Sequence, residues 1–152
     1  MFKKKATKII FFFCVINLTL HIIADFNSGF QGDELLHIET GNHPAFGYME
    51  FPPVIGWLAF TQNLFHSDSV FVNHIFCHIA STIILILAAS TTIALGGKSR
   101  AVFFTLLCLS VMPARAYQLF QPVVFSQLFW LLSFYQLVRF VKTLDNKYLL
   151  SL

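Results

Sequence analysis

The feature that acts first on this sequence is a series of apolar runs bounded by basic residues. Residues 9–24, 70–95, 101–117 and 123–141 carry almost no charge. Each reaches or approaches the roughly 17–25 residues that a helix needs to cross a bilayer. In hydrocarbon the backbone must satisfy its own hydrogen bonds, so runs of this kind become helices. Composition agrees. Of 152 residues, 57% are hydrophobic and 11% charged, with mean hydropathy +0.71, whereas a soluble domain carries roughly 25% charge. The chain is therefore read as an all-α membrane protein. It has about four transmembrane helices, plus an outer loop with short juxtamembrane and interfacial helices.

Charge fixes the expected orientation. Lys3, Lys4, Lys5 and Lys8 precede the first run. That run ends His21-Ile22-Ile23-Ala24-Asp25, without the small-residue site of a cleaved signal peptide, so it reads as an uncleaved anchor. Basic residues favour the cytoplasmic side. This places 1–8 inside, 9–24 as the first crossing and 25–69 as the outer loop. Residues 70–95 return inward to the turn Gly96-Gly97-Lys98-Ser99-Arg100. Residues 101–117 cross outward with a break at Pro113, and 123–141 cross back towards Arg139, Lys142 and Lys147. Residues 142–152 are cytoplasmic and start a further apolar run. The stretch 54–65 is also apolar, but at about a dozen residues it is too short to span. Following Pro52-Pro53, it reads as an interfacial helix with proline at its start. If it crossed, Lys98 and Arg100 would fall on the wrong side.

Within the outer loop lies an acidic island. Five of the seven carboxylates fall between Asp25 and Glu50. Asp33, Glu34 and His37 are spaced as one helical turn and share a face, with Gly29, Gly32, Gly41 and Gly47 marking turns around them. A carboxylate beside a bilayer is costly to desolvate. It serves as a general base, as a partner for a divalent ion on a phosphate, or only as a solvated group near a helix N-terminus. Glu50 stands where the loop meets Phe51-Pro52-Pro53. His74, Cys77 and His78 occupy one face at i, i+3 and i+4, which suits a metal less well than interior polar contacts between helices. His74 also lies near the outer end of its run, where it could face a cavity. Arg115, Gln118 and Gln121 cluster at the outer rim, where arginine binds phosphate or snorkels to headgroups. Ser126 and Gln127 lie one turn into the last run and face the bundle or a cavity. The cysteines Cys14, Cys77 and Cys108 each sit inside an apolar run and suggest neither a disulfide framework nor a metal site. The formal net charge of +3 comes from residues at run ends rather than from a patch, which excludes a nucleic-acid surface.

Taken in order, Asp33-Glu34, then Gly47-Tyr48-Met49-Glu50-Phe51-Pro52-Pro53, Phe65-His66-Ser67-Asp68-Ser69, Gly96-Gly97 and Gln127-Leu128-Phe129-Trp130 resemble a known family. It is the GT-C class of bacterial membrane glycosyltransferases related to the protein O-mannosyltransferases and aminoarabinose transferases, also described as RgtA/B/C/D-like. The resemblance covers nearly all the chain from Asp25 onwards and corresponds to the N-terminal part of such an enzyme. It implies a multi-pass protein of the bacterial inner membrane, with its N-terminus cytoplasmic. The implied partners are membrane lipids, a polyprenyl-phosphate sugar donor, and a lipid, glycan or protein acceptor whose hydroxyl is glycosylated on the outer face. No cofactor is required by the sequence; a divalent cation is compatible with it. By the same resemblance Asp33 matches the catalytic aspartate of the first loop, with Glu34 beside it. Glu50 matches an acidic residue lining the active site, and His37, His74, Arg115 and Gln121 are expected to help bind substrate. Relatives often have arginine near His74 and aspartate where this chain has Ser126. They also run to several hundred residues, so a gene fragment is expected. The alternative is a small membrane protein without catalysis: an accessory or lipid-binding subunit, or an inactive remnant.

Overall fold

The computed structural model describes residues 2–111 and 114–150, with side chains described for 4–111 and 116–150. Helix makes up 76% of the chain, and no strand occurs among the described residues. Helix α1, Phe2–Asn27, fuses the basic start and the first apolar run into 26 continuous residues. Its last carbonyls are closed by side chains: Asn27 Nδ2 donates to Ile23 at 2.6 Å and Ser28 Oγ to Ala24 at 2.7 Å. The loop then folds into α2, Gly32–Glu39, a 3₁₀ turn, Thr40–Asn42, and α3, Pro53–Asn63. The eleven residues of α3, proline first, form the short apolar helix expected there. Gly41 lets the 3₁₀ turn lie directly on α3, since a Cβ there would sit 2.5 Å from the Ala59 carbonyl carbon. Asn63 Nδ2 ties α3 back to Asn42 Oδ1 at 3.0 Å.

The second run departs from a single helix over 70–95. Helix α4, Val70–Asn73, stops at His74, and α5, Ile75–Ala94, begins after it. His74 has φ −98° and ψ 1°, and the Asn73 carbonyl accepts a hydrogen bond from Gln62 Nε2 of α3. A carbonyl drawn towards a neighbouring element is a recognised cause of a kink. Helix α5 ends in the basic turn, where Gly96 adopts φ +93° and the Gly97 N–H bonds the Thr92 carbonyl at 2.8 Å.

The third run also differs from a helix over 101–117. Helix α6 covers Ser99–Val111 and α7 covers Ala114–Gln118. Residues 112 and 113, where the break was expected, lie outside the described residues. Helix α8, Pro122–Thr143, opens on proline and closes on Leu144 in the left-handed region, whose N–H bonds the Phe140 carbonyl at 2.7 Å.

Among the described residues, three helices are long and apolar enough to cross a membrane: Lys4–Asn27, Ile75–Ala94 and Pro122–Thr143. Helix α6 is apolar but has only 13 residues. Helix α5 is central, packing against α1, α6, α7 and, most extensively, α8. Two apolar clusters hold it. Near the lysine-rich end of α1, Phe13, Leu85, Ala89, Val102 and Leu106 join α1, α5 and α6. Near the loop end, Ile55, Ala59, Cys77, Ile84, Phe120 and Val124 seat α3 and the α7–α8 turn on α5. Large apolar side chains on the outside, such as Phe11, Phe12, Phe129 and Trp130, suit contact with lipid.

Candidate functional site

Polar side chains run as a seam between α1 and α5. On α1, Asn17, His21 and Asp25 recur every four residues; on α5 and its N-cap, His74, His78 and Ser81 recur at four and three. Both spacings place the residues on one helical face. Asn17 Nδ2 donates to Ser81 Oγ at 3.2 Å, and the Nδ1 atoms of His21 and His78 stand 3.2 Å apart. His78 Nε2 donates to Asp25 Oδ2 at 2.7 Å.

At the loop end the seam becomes a charged junction. His74 lies between two carboxylates, with Nδ1 2.8 Å from Asp25 Oδ1 and Nε2 2.7 Å from Glu34 Oε1. Carboxylates accept only, so both ring nitrogens donate and the ring is an imidazolium. All three side chains are essentially sealed from solvent. Gln118 Nε2 adds a bond to Asp25 Oδ1 at 3.0 Å. Glu34 also accepts the Phe120 N–H at 2.6 Å and the Gln31 N–H at 2.7 Å. The last of these is local: an acidic residue at the third helical position reaches back to the N-cap backbone. Burial opposes ionisation of Glu34, but the bonds from His74, Gln31 and Phe120 outweigh it and hold the carboxyl below its ordinary value. For His74, burial disfavours the charge, and Glu34 and Asp25 together overcome this and raise it. Two carboxylates against one imidazolium leave a net negative junction.

The structure does not bring all the expected site residues together. Glu34 and His74 are joined by a direct bond. Asp33, one position away, is exposed on α2, and Glu50 is exposed in the loop. Both act electrostatically on His37, which is buried on α2 with its ring edge-on to Phe51, centroids 4.8 Å apart. Burial pushes His37 below its ordinary value, against the pull of Asp33, Glu34 and Glu50. Its Nδ1 is buried without a partner among the described residues. Gln121 is the N-cap residue of α8, without a capping bond from its side chain. Arg115 belongs to α7, and its side chain lies outside the described residues. His74 and His78 face the seam, while the Cys77 thiol meets the Leu119 carbonyl at 3.4 Å, so the three do not converge. Among the described residues no group of three His, Cys, Asp or Glu is placed to hold a metal ion.

Sequence reasoning missed Asp25 as a member of the site, along with its seam neighbour His21; Gln118, read as part of a rim cluster with Arg115 and Gln121, bonds Asp25 instead. Asp25 closes an apolar run and was counted in the acidic island of the loop, not as a partner of the facing helix. The available signal was its spacing from Asn17 and His21, repeated on the facing helix. No family model, curated protein or solved structure matches the chain.

Proposed function

We propose that the chain forms the N-terminal, acidic-loop part of a membrane glycosyltransferase of the GT-C kind. It would transfer a sugar from a polyprenyl-phosphate donor to a hydroxyl acceptor on the outer face of a bacterial inner membrane. The observation that carries this reading is the division of labour within Asp33-Glu34. Glu34 is buried and fixed by bonds from His74 at the N-cap of α5, from the α7–α8 turn and from its own N-cap, while Asp33 stays exposed and, like Glu50, acts electrostatically on His37. A base must be held firmly yet remain accessible to its substrate. In the reaction, Asp33 takes the acceptor hydroxyl proton as the oxygen bonds the anomeric carbon. The bond from that carbon to the phosphate oxygen breaks, and polyprenyl phosphate leaves with the electron pair. Arg115 is the proposed partner of the leaving phosphate. In this arrangement α6 and α7 cross together as one broken helix. That gives four crossings, with the lysine-rich start of α1 and the end of α8 both cytoplasmic.

The test is sugar transfer from a radiolabelled polyprenyl-phosphate donor pool. Membranes would carry this chain alone or extended by the downstream reading frame, each with and without Asp33→Asn. Transfer that disappears with Asp33→Asn supports the proposal. No transfer in either form, with both inserted and a known relative active on the same pool, refutes it in favour of an accessory or remnant protein.

A further inference from the structure

At the lysine-rich end of α1 the described residues leave positive charge unbalanced. Six of the seven carboxylates lie between Asp25 and Asp68, and the seventh, Asp145, pairs with Lys147 at 2.7 Å. Lys5 of α1 and Arg100 of α6 are exposed, and neither has an ion-pair partner among the described residues.

These two side chains line one cavity of about 340 Å³ between α1 and α6. Ile9, Phe103 and Phe104 form its apolar walls, and Ser99 adds a hydroxyl. On each helix the cation and its apolar neighbours share a face: Ile9 follows Lys5 at i+4, and Phe103 and Phe104 follow Arg100 at i+3 and i+4. The two helices also point the same way, because each runs antiparallel to α5. For α1 this shows in Asn17 meeting Ser81 while Asp25 meets His74; for α6 it shows in Thr105 meeting Thr92 at 3.2 Å across the Gly96-Gly97 turn. Both walls therefore carry charge at the rim and apolar surface one turn, roughly 5 Å, deeper. Phe103 and Phe104 are also exposed on the outside of the bundle, so the cavity opens sideways onto lipid.

We propose that this cavity binds one phospholipid with an anionic phosphodiester head, the phosphate between Lys5 and Arg100 and an acyl chain along Ile9, Phe103 and Phe104. Basic pockets between membrane helices hold anionic head groups of this kind. The arginine fork matches two phosphate oxygens, and the lysine adds a second charge. A neutral lipid would leave both cations unbalanced. A soluble phosphate ester would leave the apolar walls uncovered. The inference requires no transfer reaction and stands apart from the glycosyltransferase reading.

The experiment uses the full chain in phosphatidylcholine nanodiscs, with a phosphatidylglycerol carrying a photoactivatable group on its acyl chain. Saturable adducts are expected at Ile9, Phe103 or Phe104. Each basic residue beside an anionic lipid contributes about fivefold in affinity, so Lys5→Gln/Arg100→Gln should weaken labelling by about 30-fold. Lys4→Gln/Lys98→Gln removes the same charge from the same end but outside the cavity, and should weaken it less. Equal loss in the two variants would mean a diffuse surface field, of the sort that snorkelling side chains give, and overturns the proposal. Adducts that spread around the bundle without saturating do the same. On wild type, unlabelled phosphatidylglycerol should compete about 30-fold better than diacylglycerol, which lacks the phosphate; equal competition overturns the ionic head. Glycerol phosphate competing as well as phosphatidylglycerol would make the occupant a soluble ester and overturns the lipid. Should Lys5→Gln/Arg100→Gln fail to insert, these wild-type competitions decide alone.

Discussion

Replacing His74 by leucine tests the charged junction directly. The substitution removes the one cation between two buried carboxylates and the bonds at 2.8 and 2.7 Å that join α1 to α2 through α5. If these were ordinary interhelical hydrogen bonds, at about 0.6 kcal/mol each, their loss would cost little more than 1 kcal/mol. Leaving buried charge uncompensated costs about 3–5 kcal/mol instead. The second figure applies, because Asp25 and Glu34 both have fully buried side chains. Unfolding in mixed micelles, followed by the fluorescence of Trp57 and Trp130, would measure it. The pH dependence separates the two accounts more sharply. Glu34 is held below its ordinary 4.5, so its contribution is present above that value and lost as pH falls through the folded one. His74 is held above 6.5, so its contribution is complete below 6.5 and lost as pH rises through the raised value. Wild type is accordingly most stable between these limits. Without the imidazolium, Glu34 faces Asp25 uncompensated and its carboxyl moves above the ordinary value. Acid then stabilises His74→Leu relative to neutral pH, reversing the wild-type slope. A loss near 1 kcal/mol with the wild-type slope retained would refute the charged junction.

Three further outcomes follow from the same geometry. Asp33→Asn should leave stability within about 0.5 kcal/mol, because the side chain is exposed, and the glycosyltransferase proposal requires it to lower sugar transfer by about 10²-fold or more in the extended protein; thermal unfolding and transfer assays check the two halves. Gly41→Ala should cost about 1–3 kcal/mol, because its Cβ meets α3 backbone at Ala59 and Phe60 rather than a movable side chain; Ala59→Gly in the same assay should not rescue it. Single cysteines at Ser67, Lys98 and Asn146, labelled by an impermeant maleimide in a chain freed of its own cysteines, count the crossings. Four crossings put Lys98→Cys and Asn146→Cys on one side and Ser67→Cys on the other, whereas Asn146→Cys labelling with Ser67→Cys would leave only the three long helices spanning.

How far the fold was legible depends on the range of the interactions that decide it. The spans of α1, α5 and α8 follow from run length alone, and α3 from its length and paired prolines. The break at His74 was not legible, since it reflects Gln62 of α3 taking the Asn73 carbonyl, a contact that composition does not encode. The shared face of Asp33, Glu34 and His37 was legible as spacing. Which carboxylate is buried was not. That choice belongs to the rotation of α2, set by the bonds of Glu34 to His74 and Phe120, 40 and 86 residues away.

The seam also explains how a loop helix comes to be positioned by membrane helices. Lipid tails are as apolar as leucine, so burial of apolar surface does little to set the register of α1 on α5. Polar pairs can set it, because each has few partners within reach. Asn17 with Ser81, His21 with His78, and Asp25 with both His78 and His74 descend the interface about one turn at a time, so a slip in register would break all of them together. Asp25 then shares His74 with Glu34. The rotation of α2, and with it the direction in which Asp33 is presented, is thus coupled to the register of two helices. On this account Asn17→Leu, at the far end of the seam, should cost only about 0.6 kcal/mol alone. Its effect should become non-additive with Asp25→Asn, because both act on one register. Strict additivity in that double-mutant cycle would mean that the polar pairs are independent and that α2 is oriented by its own contacts.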